Sequence, residues 1–116
     1  MEPAHDRYSN VIEALPTPVL LLSPNGLIQH ANPSAAALLA TFEGIRPIAG
    51  ATLVPDWLLE ELEQRSLLQR DTHQAERSMA GPHGFAYLQI TITPLPQDAD
   101  DLLLVTINDL SRLHLI

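Results

Sequence analysis

Five histidines, fourteen carboxylates and no cysteine bound the chemistry open to this 116-residue chain. Thiol catalysis, disulfides and zinc–thiolate sites are excluded by composition. A metal pair on a helix needs histidines at i and i+4, so that both imidazoles leave one face. No two of His5, His30, His73, His83 and His114 have that spacing. His73 and His83 lie ten residues apart, on either side of a segment that reads as a strand. Asp98, Asp100 and Asp101 resemble a fragment of a calcium loop but lack its glycine and distant glutamate, and read as a solvated turn. A glycine-rich phosphate loop, a Gly-x-Ser-x-Gly elbow and kinase motifs are all missing. No catalytic residue and no metal are expected, and the chain by itself reads as non-enzymatic. His30 stands out because it alternates with Ile28 along the extended stretch of residues 27–31. It can contact a ligand or respond to pH, since imidazole is the side chain that changes charge between about pH 5 and 8. The plainer reading is a core histidine satisfied by a backbone or hydroxyl partner.

The elements that must position these groups are legible in order. Tyr8, Val11, Ile12 and Leu15 fall at i, i+3, i+4 and i+7, one stripe of an N-terminal amphipathic helix that Pro16 and Pro18 end. That stripe packs on its own domain or forms a dimer contact. Val19–Leu22 is an apolar strand, Pro24-Asn25-Gly26 a turn, and residues 27–31 a second strand. Asn32 then caps a helix with Pro33 at its first position and helix formers through residue 40. Residues 41–54, with Gly44, Pro47 and Gly50, read as short turns and loop. Asp56 is placed to cap a helix over residues 57–70, whose stripe is Trp57, Leu58, Leu59, Leu62, Leu67 and Leu68.

Three strands follow. Residues 72–79 alternate weakly and read as a polar edge strand. Residues 85–93 alternate well, with Leu88, Ile90 and Ile92 on one face, and Pro94 and Pro96 stop them. Residues 102–108 show little alternation in their first half, as a central strand covered on both faces would.

This length supports one domain with a single core. A formal charge of −8 repels nucleic acid and anionic lipid, so neither is an expected partner. No apolar run approaches the ~20 residues of a membrane span, and no secretory signal opens the chain. The expectation is a soluble cytoplasmic domain.

The hairpin of residues 19–31 running into the capped Asn32-Pro33 helix resembles the start of a PAS domain. Ile90–Pro96, the acidic loop, residues 102–109 and the closing Asp109-Leu110-Ser111 resemble its end. The likeness spans about residues 11–111, and residues 29–40 with 102–116 are most similar to the N-terminal PAS domain of nitrogen-regulatory sensor histidine kinases. It implies an α+β fold: a five-stranded antiparallel sheet in the order 2-1-5-4-3, helices on one face. The apolar continuity of strands one and five fits their central place independently.

The resemblance divides the chain into a helix at 1–16, the domain at 17–111 and the start of a signalling linker at 112–116. The stripe of Tyr8, Val11, Ile12 and Leu15 becomes a homodimer contact. Asp109, Leu110 and Ser111 become the signal exit to a C-terminal effector; if that is a histidine kinase, as the resemblance implies, its catalytic parts are expected beyond residue 116. A regulatory protein partner is also implied. The same resemblance turns His30, with Ile28 and Asn32, toward the helices and an internal cavity; related sequences often carry an aromatic there. Leu39, Trp57, Leu62, Leu88, Ile90 and Ile92 would complete a pocket for a small ligand, the alternative function. Other parents on this plan include a diguanylate cyclase or a transcriptional activator. No cofactor is expected. Haem-binding relatives supply a histidine from the long helix, and residues 57–70 contain none; aromatics at 4% leave no ring stack for flavin.

Overall fold

In the computed structural model, which describes residues 12–68, 71–81, 84–95 and 101–110, the apolar run Val19–Leu22 forms β1 and is buried at all four positions. A strand with no polar face must be covered on both sides and paired along both edges. β1 meets both demands. It pairs antiparallel with β2 (Ile28–Ala31) on one edge and with β5 (Leu103–Asp109) on the other. β4 (Gly84–Pro94) joins β5 to β3 (His73–Gly81), and the sheet order is β2-β1-β5-β4-β3. The order that the resemblance implied is therefore observed, with β5 in the middle and the polar strand at an edge.

Two helices cover one face. α1 (Pro33–Glu43) begins where Asn32 Oδ1 accepts the backbone N–H of Ala35. It runs three residues past the helix-forming stretch. It stops at Gly44, whose N–H still bonds the Ala40 carbonyl and whose φ of +65°, suited to glycine, turns the Ile45 N–H back to the Leu39 carbonyl. α2 (Asp56–Leu67) ends short of residue 70, and residues 69–70 lie outside the described segments. The expected cap at Asp56 is corrected. Pro55 occupies the cap position, with ψ 162° and no side chain to bond, and its carbonyl accepts the N–H groups of Leu58 and Leu59. Asp56 instead stands in the first turn, where a carboxylate favours the positive helix end.

Leu20, Leu22, Ile28, Leu39, Leu58, Leu88, Ile90, Ile92, Val105 and Ile107 form one apolar core between sheet and helices. Burying each contributes about 1.5–3 kcal/mol. The sheet's other face is covered at one end, where Ile12 packs on Val19 and Leu21 beside Leu95 and Leu104. The segment between α1 and α2 is irregular but tied down. Ile28 N–H donates to the Thr52 carbonyl, Gly50 N–H to that of Ile28 and Val54 N–H to that of Gly26, so the loop shields the outer edge of β2.

Candidate functional site: the polar groups at the sheet edges

Asn32 does more than cap a helix. It is fully buried, and besides Ala35 its Oδ1 accepts the N–H of Val19 at 3.0 Å. Its Nδ2 donates to the carbonyls of Ile12, Leu15 and Thr17 at 2.9, 3.3 and 2.8 Å. Ser34 Oγ adds a bond to the Pro16 carbonyl. One amide thus ties the segment before β1 to the β2–α1 junction. The capping role is plain from Asn-Pro and the helix formers after it. The docking role needs three carbonyls that only the folded chain gathers.

The expected orientation of His30 is corrected. Leu22 pairs with Ile28, but Leu21 pairs with His30, so Gln29 is the extra residue of a β-bulge. A bulge inverts the alternation of side chains. His30 therefore lies across from Leu21, which belongs to the outer cluster, and not on the helix side with Ile28. Its Nε2 meets Glu13 Oε2 at 3.1 Å in a partly exposed pair.

Of the other expected pocket residues, Leu39, Leu88, Ile90 and Ile92 are fully buried in one core cluster between sheet and helices. Trp57 belongs to the same core, and its Nε1 donates to Glu43 Oε1 at 2.8 Å. Leu62 does face a cleft. That cleft, of about 390 Å³, lies between the second half of α2 and the ends of β1, β4 and β5; Arg65, Ser66, Pro94, Leu102 and Leu103 line it with Leu62. A second cleft of about 320 Å³ adjoins it past Pro24, Leu59 and Leu62.

A polar cluster that sequence reasoning missed joins α2 to the edge strand. Glu61 and His73 are both buried. Glu61 Oε1 lies 2.8 Å from His73 Nε2, and Oε2 accepts from Arg77 Nη1 at 2.7 Å. Arg77 Nη2 reaches the exposed Glu60 at 3.0 Å. Positions 73 and 77 share a face of β3, which sends both basic groups under the helix. Burial pushes the Glu61 carboxyl up, but hydrogen bonds from His73 and Arg77 outweigh it and hold the group below its ordinary value. The bond to Glu61 raises the pKa of Arg77, so its charge is permanent. His73 Nδ1 is buried without a hydrogen-bond partner. The signal in sequence was faint: two basic residues four apart in a strand otherwise read as solvent-facing.

Of the expected dimer stripe, Ile12 is buried on its own sheet and Leu15 is 41% exposed. Tyr8 and Val11 lie outside the described residues, as does Ser111 of the expected exit. Asp109 ends β5, and Leu110 N–H donates to the Tyr87 carbonyl at 2.7 Å. Among the described residues no group of three metal-ligating side chains is present, and no helix is long and apolar enough to cross a membrane.

The comparisons agree with this geometry. A family model described as PAS domain matches residues 6–77. No curated protein sequence matches the chain. Among solved structures, the PAS domain of a two-component sensor histidine kinase is 12% identical with a TM-score of 0.60, over 90% of this chain and 95% of that one. The PAS domain of nitrogen regulation protein NR(II) from Vibrio parahaemolyticus is 19% identical with a TM-score of 0.58, over 88% and 96%. The phage VqmA–DPO complex gives a TM-score of 0.70 at 14% identity, over 95% of this chain and 54% of that one. At these identities the structural likeness speaks for the fold.

Proposed function

The chain belongs to the PAS domain family, and from that premise we propose that it is a sensor and relay module of a bacterial signalling protein. It forms a homodimer and passes a conformational signal to a C-terminal effector. A two-component histidine kinase is the parent best supported, by the neighbours from such kinases and by the resemblance of residues 29–40. A domain of this kind acts by moving its ends, not by chemistry on a substrate.

One observation carries this reading. Ile107 N–H donates to the Pro18 carbonyl at 3.1 Å, and Val19 pairs with Thr106. The segment entering the sheet is thereby bonded to the strand that leaves it. Asn32 holds the entering segment, and β5 runs on to Asp109 and Leu110. A shift of residues 12–18 reaches the exit through main-chain bonds, without passing through a loop. Such short coupled paths let small shifts at one surface bias an effector.

A second reading, a sensor for a small ligand, is favoured by the 390 Å³ cleft at Leu62, which falls in the range of about 300–1,000 Å³ typical of ligand sites. Native mass spectrometry separates the two. Twice the polypeptide mass with nothing added supports the dimeric relay. Extra mass that vanishes on denaturation supports the ligand sensor. A bare monomer at micromolar concentration overturns the dimeric reading.

A further inference from the structure

The two edges of the sheet are treated differently. The outer edge of β2 is closed by the loop that bonds Ile28 through Thr52 and Gly50, whereas no such segment lies along β3 among the described residues. Which main-chain groups of β3 face outward follows from two contacts. Leu110 N–H donates to the Tyr87 carbonyl, so the peptide groups of Tyr87 point toward β5. Ser78 stands opposite Tyr87, and opposed residues of an antiparallel pair either exchange both bonds or turn both sets away from each other. The N–H and C=O of Ser78 therefore point away from the sheet, and by the same alternation so do those of Gln74, Glu76 and Ala80. None of these groups has a partner among the described residues, and all four side chains are exposed.

A row of unpaired donors and acceptors is a template for another strand, and sheets usually blunt it with proline, lysine, a bulge or a cover. β3 contains neither proline nor lysine, and its pairing with β4 is unbroken from His73↔Ile92 to Gly81↔Gly84. Its permanent charges are Glu76 and Arg77. Arg77 is turned under α2 onto Glu61 and Glu60. That leaves Glu76, which has no ion-pair partner among the described residues, as the charge at the open edge. Beside it Glu76, Arg77, Ser78 and Tyr87 line a hollow of about 310 Å³.

We propose that the open edge of β3 docks an extended segment of a partner protein, added to the sheet as a further strand, with a lysine or arginine of that segment seated in the hollow. Main-chain bonds to Gln74, Glu76, Ser78 and Ala80 supply affinity, and the hollow supplies selectivity. The stem of the basic side chain lies against the Tyr87 ring while its cation meets the Glu76 carboxylate. Charge decides the occupant: a second copy of this chain brings the same formal charge of −8, whereas a basic segment is drawn to it. The site needs neither the dimer nor a particular effector, so its failure leaves the relay reading intact.

Panning a phage-displayed library of random peptides on the 116-residue chain tests the site. Enriched peptides carry a basic residue and slow hydrogen exchange of the Gln74, Glu76, Ser78 and Ala80 amides when titrated into the chain. Glu76→Lys, a change at an exposed position, weakens the same peptide by about tenfold or more, as loss of a hydrogen bond to a charged group does. Ser78→Pro removes an outward N–H without touching the ladder to β4, a place where edge strands accept proline, and abolishes binding. Should that variant fail to fold, the same peptide with alternate backbone nitrogens methylated, which cannot pair, takes its place as the control. Equal binding by either control, protection confined to another surface, or no enrichment overturns the proposal. In the free chain the four amides exchange fast at every protein concentration. Protection that grows with concentration assigns the edge to a second copy and overturns it as well.

Discussion

Asn32 Nδ2 lies 2.9 Å from the carbonyl oxygen of Ile12, twenty residues earlier in the chain. The same nitrogen also reaches the carbonyls of Leu15 and Thr17, while Oδ1 serves Val19 and Ala35. Helix initiation, β1 and the segment before it therefore depend on one buried amide.

Loss of a cap alone costs about 1 kcal/mol. Asn32→Ala also leaves buried carbonyls without a donor, so the expected total is about 2–4 kcal/mol. Asn32→Asp keeps the cap acceptor but aims a carboxylate at three carbonyl oxygens, and should destabilise the fold at neutral pH despite being nearly isosteric. Urea unfolding midpoints of the two variants check this. If Asn32→Asp matches the wild type, the docking bonds contribute nothing.

The Glu61 carboxyl is held below its ordinary 4.5 by the hydrogen bonds from His73 and Arg77. A group whose folded-state pKa is depressed contributes stability that is present above the unfolded value and lost as pH falls through the folded one. The advantage of wild type over Glu61→Gln should be constant above about pH 5 and shrink steadily as pH falls below about 4. Chemical denaturation at several pH values reads that difference. A gap that widens in acid would mean that the carboxylate is not what fastens α2.

Ile12 and Leu15 belong to one stripe of the sequence, yet they face different surroundings. Ile12 fills the outer cluster against Val19 and Leu21, so Ile12→Ala should cost about 2 kcal/mol or more. Leu15→Glu, at an exposed position, should leave stability within about 0.5 kcal/mol. If the stripe is also the dimer contact, that variant elutes as a monomer in light-scattering chromatography. A dimer that survives Leu15→Glu places the contact elsewhere.

His30 meets Glu13 at a partly exposed surface, where an ion pair is worth about 0–1 kcal/mol. His30→Ala should accordingly shift the urea midpoint only slightly. A loss comparable to that of a core substitution would return His30 to the interior.

Element types and their order were legible locally. Val19–Leu22, with no polar position, had to be a doubly covered strand; Asn32-Pro33 had to open a helix; the alternation of Leu88, Ile90 and Ile92 had to face a core. The sheet order came from resemblance and was then observed. The cap of α2 was misplaced by one residue, because Asp56 is a strong cap by type, whereas Pro55 already held the extended geometry the position needs.

The site was far less legible. His30 changed face because one extra residue, Gln29, entered the β1–β2 pairing, and a bulge leaves no mark in the pattern of its own strand. Leu39, Ile90 and Ile92 face inward, but apolar alternation does not tell a packed core from a pocket wall; the packing of opposing elements decides that. Glu61, His73 and Arg77 carried no motif, since their partnership spans twelve and sixteen residues and exists only once α2 lies on β3. By itself the sequence determined what short-range forces determine: strands, turns, one cap, and the lack of thiol chemistry. The tertiary structure alone decided which polar groups meet, because hydrogen bonds and ion pairs between distant residues depend on register and helix placement, and these are set by how the whole core packs.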